Sequence, residues 1–176
     1  MSLLSVIEPE QAEGEVAAIY ASTMEAIGMI PNAMKVQSVN PMALRTMAEM
    51  IGYVVNHPSL SPALFTIIRL AVSTDHSCAY CVTTNKGILM SEGMSLEQID
   101  AIQADPSQAP LNAKEKALLL YTLKAVNASN EVGEQEIAAL REVGATDIEI
   151  FDALQHGAHQ LAGDVMINAL KVENDF

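Results

Sequence analysis

Cys78 and Cys81 are the only cysteines in the chain, and only Ala79 and Tyr80 separate them. Random placement gives that spacing in about one chain in a hundred, so the pair reads as a unit. Cysteines at i and i+3 at the start of a helix share a face and can bond after a small adjustment. A thiolate there feels the partial positive charge of unpaired N–H groups, which lowers its pKa. Such a thiolate attacks a peroxide or a disulfide, and the second thiol resolves the sulfenic acid or mixed disulfide. The dipole favours Cys78, nearest the helix start, as the thiolate. Access and a nearby base could instead make Cys81 the attacking sulfur and Cys78 the resolving one. Two other readings stand beside the redox one. Buried thiols can serve as small hydrophobes. Zinc wants four ligands; His76 could add one, but no second CxxC or CxxH pair exists, so no metal is assigned. No cofactor is needed either, because sulfur carries the electrons.

The elements that must position this pair read as helix after helix, without sustained period-2 alternation. The pattern predicts a helix over about Pro9–Ile27, closed by Gly28, and a short one capped by Asn32. Asn40–Pro41 and Ser61–Pro62 are cap-plus-N1 pairs. The helix after Ser61 is apolar almost all round, which places it at the centre of the core. The next should begin near Cys78 and end at Gly93. Ser95 with Gln98, Asn112 with Glu115 and Thr146 with Glu149 are capping signatures for the later helices. The last carries Ile150, Phe151, Leu154, Leu161, Val165 and Leu170. The expectation is an all-α fold of about seven to nine helices in one compact domain over residues 1–176, with a CxxC-bearing half (about 30–103) and a C-terminal half (about 111–176).

The formal net charge of −13 disfavours nucleic acid and anionic membranes, both of which need Lys and Arg. No apolar run is long enough to span a membrane, and Met1–Glu8 lacks the basic start of a signal peptide. The reading is a cytoplasmic protein, where a lone Cys pair is catalytic or metal-binding more often than structural. Glu134, Glu136, Glu142 and Glu149 read as solvated faces.

The segment Arg69-Leu-Ala-Val-Ser-Thr-Asp-His-Ser-Cys-Ala-Tyr-Cys-Val-Thr-Thr-Asn resembles the signature of the carboxymuconolactone decarboxylase and AhpD-like alkylhydroperoxidase family. Gly28-Met-Ile-Pro-Asn, Asn40-Pro and Leu140-Arg-Glu-Val-Gly-Ala-Thr-Asp-Ile-Glu-Ile resemble it too, so the likeness covers roughly residues 10–170. It implies an AhpD-like helical fold, homo-oligomers, and peroxide reduction through the Cys78/Cys81 dithiol, an antioxidant role. The redox-active members carry a His four residues after the second Cys and a Glu twelve before the first, thought to form a proton relay. Here those positions are Asn85 and Thr66, neither of which titrates usefully as a general base.

Other groups could assist. His76, two residues before Cys78, could take the thiol proton, or be an exposed loop histidine. Tyr80 could donate to a thiolate, or pack in the core. Asp152, His156 and His159 share one helix face and could supply a remote base or a weak metal site. A polar surface stripe, or a histidine at a subunit contact, is the favoured reading of those three.

The leading expectation is a thiol-dependent peroxidase or thiol–disulfide oxidoreductase, with a peroxide substrate and a thiol reductant or dithiol protein as partners. One alternative is decarboxylase-type chemistry on a small lactone acid. That reading lacks a visible His–Arg cluster, because Arg45, Arg69 and Arg141 are scattered in sequence. The other is an oligomer that senses redox state slowly, having lost the relay.

Overall fold

A computed structural model of the chain describes residues 2–175, and every regular element among them is helical. The α-helices are α1 (Gly14–Ile27), α2 (Asn32–Gln37), α3 (Pro41–Val55), α4 (Pro62–Asp75), α5 (Ala79–Ser91), α6 (Leu96–Ala104), α7 (Ala113–Asn127), α8 (Glu134–Glu142) and α9 (Asp147–Ala169). Short 3-10 turns cover Pro9–Gln11, Pro106–Gln108 and Ser129–Glu131. The described residues group into two compact units, one of residues 2–56 with 166–175, the other His57–Val165.

In the first unit, Val16 and Tyr20 of α1 pack with Ile30, Met34 and Leu44. The expected first helix is split. Pro9 opens a 3-10 turn instead, and α1 starts at Gly14. Gly28 closes α1 at φ +77°, a left-handed conformation that suits a residue without Cβ. Asn32 does not cap α2, because Pro31 holds that position. Its side-chain amide donates to the Glu173 carbonyl at 3.1 Å.

The second unit is built around α4. Nine of its residues are buried, including Leu64, Phe65, Ile67, Ile68, Leu70 and Val72. Each such apolar side chain contributes about 1.5–3 kcal/mol on leaving water. An apolar surface all round needs neighbours all round, and α4 packs against α5, α6 and α7. Ser61 caps it, accepting from the Leu64 N–H at 3.2 Å. Buried Glu115 accepts from the Ser61 N–H at 2.7 Å and from the Asn112 amide at 3.0 Å, so one carboxylate ties together the starts of α4 and α7. On α9, Gly157 lets the backbone come close to α7: a Cβ there would lie 2.4 Å from Thr122 Cγ2. Gln98 and Ser95 complete the expected capping box of α6. Glu149 departs from its expected solvated face. It is buried, holds the Thr146 N–H at 2.8 Å and pairs with Lys114. No helix among the described residues is long and apolar enough to cross a membrane.

Candidate active site

Cys78 is the N-cap of α5 and Cys81 its third residue, so both sulfurs sit at the helix start. The turn that delivers them is tight: Ser77 adopts φ +55°, and the Cys78 N–H donates to the Ser73 carbonyl at 3.0 Å. Both cysteines are reduced and buried. Cys78 has no exposed surface and Cys81 retains 9%.

A third group joins them from α9. Each Sγ and a carboxylate oxygen of Asp164 all lie within 4.8 Å of one another. Asp164 is itself only 1% exposed. Its Oδ1 accepts from Ser73 Oγ at 2.9 Å and from Gln160 Nε2 at 2.8 Å, and Gln160 also donates to Ser73 Oγ at 3.0 Å. Its Oδ2 is buried and meets no hydrogen-bond partner of normal geometry. Sequence reasoning missed Asp164. No local signal marked it, since the same helix also carries Asp147, Glu149 and Asp152.

This environment opposes the helix-start effect. Burial, above all, pushes the Cys78 thiol up, and Asp164 adds to it. The Cys81 S–H and N–H, donating to Cys78 sulfur, work the other way. Cys81 is pushed far above the ordinary thiol range by burial, by its contact with Cys78 and by Asp164. Among its main influences none favours the thiolate. Of the two sulfurs, Cys78 is therefore the one whose anion the local donors support.

Thr66 and Asn85 come together around Arg69. The guanidinium donates from Nη2 to Thr66 Oγ1 at 2.9 Å and from Nε to Asn85 Oδ1 at 2.8 Å, and Nη1 lies 3.1 Å from His156 Nε2. Asn85 also donates to the Cys81 carbonyl at 2.8 Å. Its amide thus ties the cation to the first turn of α5. Burial lowers the Arg69 pKa to about 10, which leaves it cationic at neutral pH; the Glu92 charge, and after it Cys81, works the other way. No carboxylate among the described residues forms an ion pair with it.

His156 is not on a surface stripe. It is buried, edge-on to Phe65 with ring centroids 5.0 Å apart. Burial first, then the Arg69 and His159 charges, lower its pKa to about 3. It is neutral, and its Nε2 acts as acceptor for Arg69. Asp152 lies 3.1 Å from His57 Nε2, while His159 is exposed, so the three groups do not form one site. His76 caps the end of α4 with Nε2 buried and without a partner, and it lies outside the Cys78–Cys81–Asp164 group. Tyr80 is buried.

Over residues 41–122, the stretch that contains the two cysteines, Thr66, Arg69 and Asn85, the sequence matches the carboxymuconolactone decarboxylase family. Asp164, Gln160 and His156 lie beyond that stretch. Curated proteins offer no match. Solved structures share the fold. A peroxidase-related protein of the AhpD core type from Ralstonia eutropha JMP134 superposes with a TM-score of 0.86 at 23% identity, over 99% of this chain and 92% of that one. A peroxidase-related protein from Silicibacter sp. TM1040 gives 0.81 at 20% identity, over 97% and 87%. A protein of unknown function from Agrobacterium tumefaciens, associated with the antioxidant defence protein AhpD, gives 0.64 at 19% identity, over 78% and 94%.

Proposed function

We propose that the chain is a thiol-dependent peroxidase working through Cys78 and Cys81. The observation that carries this reading is the convergence of two reduced sulfurs and a buried carboxylate at one helix start. The family segment and the AhpD core fold support it.

Asp164 takes the role that neither Thr66 nor Asn85 can fill, accepting the Cys78 proton. The Cys78 thiolate attacks the outer oxygen of a hydroperoxide and the O–O bond breaks. Sulfur becomes sulfenic acid, and the alkoxide leaves as alcohol with the proton that Asp164 returns. Cys81 then gives up its proton as its sulfur attacks Cys78. The S–S bond forms, and the hydroxide lost from the sulfenic acid leaves as water with that proton. The balance is two thiols and one hydroperoxide to one disulfide, one alcohol and one water. An external dithiol restores the pair by exchange, so the cycle suits a compartment that keeps thiols reduced, such as the cytoplasm. Exposed apolar side chains on α9, Phe151 and Val165 among them, fit assembly with further copies of the chain. Sedimentation at micromolar concentration checks this: a monomer contradicts it.

The test is hydroperoxide consumption with a dithiol reductant, comparing wild type with C78S/C81S. Loss of consumption in the double variant is expected; equal rates refute the proposal.

Arg69 favours a second reading. Folding brings an arginine and a histidine together beside the dithiol, the pairing that scattered arginines hid in the sequence. A buried cation whose hydrogen bonds go only to uncharged groups suits the carboxylate of a small lactone acid. Calorimetric binding of an unsaturated lactone acid, equal in reduced and oxidised protein and weakened by Arg69→Lys, supports it. No binding removes it.

A further inference from the structure

We infer that the Cys78–Cys81–Asp164 group is also a zinc site, in which the metal holds the dithiol in a form protected from peroxide. The inference rests on the same three side chains as the proposed peroxidase but not on that activity. The donor set suits zinc, which takes thiolate sulfur at about 2.3 Å and carboxylate oxygen at about 2.0–2.2 Å. Tetrahedral ligands at those lengths stand roughly 3.5–3.8 Å apart. The three donor atoms already lie within 4.8 Å of one another, so a contraction of about 1 Å encloses the ion.

Asp164 is what makes the site. A carboxylate oxygen that is buried and unpartnered is costly. Oδ2 is buried and has no hydrogen bond of normal geometry, with the two thiols beside the carboxylate. Its sister Oδ1 is fixed by Ser73 and Gln160 at 2.9 and 2.8 Å, the kind of second layer of hydrogen bonds that aims a ligating carboxylate. Gln160 lies one turn before Asp164 on α9, and Ser73 lies in the last turn of α4. Two rigid helices therefore orient the oxygen before any ion arrives.

Charge balance fits as well, since a thiol coordinated to a divalent ion is deprotonated. Binding exchanges two thiol protons for one Zn2+. Two thiolates and one carboxylate then leave the site with a single net negative charge. Arg69, tied through Asn85 to the helix that carries Cys81, offsets part of that charge. The chain supplies three ligands, and an external donor such as water completes the tetrahedron. A sulfur bound to zinc has its lone pair engaged, so peroxide reduction and zinc binding exclude each other.

The experiment uses full-length, reduced, metal-free protein. Zn2+ is titrated against a chromophoric chelator, and Cd2+ is used in parallel to read the thiolate-to-metal charge-transfer band. One Zn2+ per chain is expected. Asp164→Asn, close in size and still able to bond Ser73, should weaken zinc binding at least tenfold while both cysteines remain. C78S/C81S should lose the charge-transfer band. Zinc should also slow alkylation of both thiols in wild type, a readout that needs no variant to fold. Zinc binding in Asp164→Asn equal to wild type, or no protection of the thiols, overturns the inference. Peroxide consumption measured separately in excess chelator distinguishes the two claims. If it persists while zinc fails to bind, only the metal site is lost; if it is absent while zinc binds, only the peroxidase is lost.

Discussion

Acid should destabilise this fold through His156 before it touches the carboxylates. The imidazole is neutral in the fold, with Nε2 3.1 Å from Arg69 Nη1, and its pKa falls from 6.5 to about 3. A protonated ring would turn an N–H onto the guanidinium. The unfolded chain protonates near 6.5 while the folded one resists until about 3, so stability is fully present above 6.5 and falls as pH falls between those values. For one such proton, the loss between pH 7 and pH 5 is about 2 kcal/mol. The window above pH 5 matters, because Glu149 and Glu136, both held near 2, come into play only below the ordinary carboxylate value of 4.5. The assay is urea unfolding at pH 7, 6 and 5 for wild type and His156→Gln. The variant can still accept from Arg69 through its amide oxygen but cannot titrate. It should be less stable than wild type at pH 7 and should lose about 2 kcal/mol less on going to pH 5. If both proteins lose the same stability over that range, the buried neutral histidine is wrong.

Two further outcomes follow from packing and from the thiol environment. Gly157→Ala should cost about 1–3 kcal/mol by overpacking, since its Cβ would meet Thr122 Cγ2 at 2.4 Å and Val126 Cγ2 at 3.2 Å. Adding Thr122→Ser, which removes that methyl, should recover part of the loss in a thermal melt; no recovery would place the strain elsewhere. Alkylation of Cys78 and Cys81 in metal-free protein should be slow at pH 7 and still climbing above the ordinary thiol value of 9.0, with Cys81 the slower. The sign is that of an acid kept neutral by the fold, so stability also declines as pH rises past that value. Rapid alkylation at pH 7 would contradict the burial argument.

What the sequence made legible was local. Ser61, Ser95, Asn112 and Thr146 announce helix starts because their hydrogen bonds close within three residues. The buried character of α4 was legible because an element with no polar face cannot meet water on any side. The dithiol was legible because both cysteines lie on one helix turn. What failed was non-local. Asp164 reaches Ser73 across 91 positions and His156 reaches Arg69 across 87, and no periodicity encodes either meeting. The spacing of Asp152, His156 and His159 suggested a shared face, yet a shared helix face does not say whether a neighbour covers it. Asn32 looks like a cap, but Pro31 is in the N-cap position, and the Asn32 amide turns to the far end of the chain. Glu149 reads as solvated because charge usually is; Lys114 and the Thr146 cap make its burial tolerable.

The proposed cycle needs the dithiol to react with peroxide with Asp164 as proton acceptor. A single-turnover experiment measures this directly: reduced, metal-free protein is mixed with one equivalent of hydroperoxide, quenched at intervals and weighed by mass spectrometry. The expected result is a Cys78–Cys81 disulfide formed in step with alcohol release, and formation slower by about 10²-fold in Asp164→Asn, the scale of a lost general base. Thiols that stay reduced while peroxide persists, or an Asp164→Asn rate equal to wild type, would contradict it.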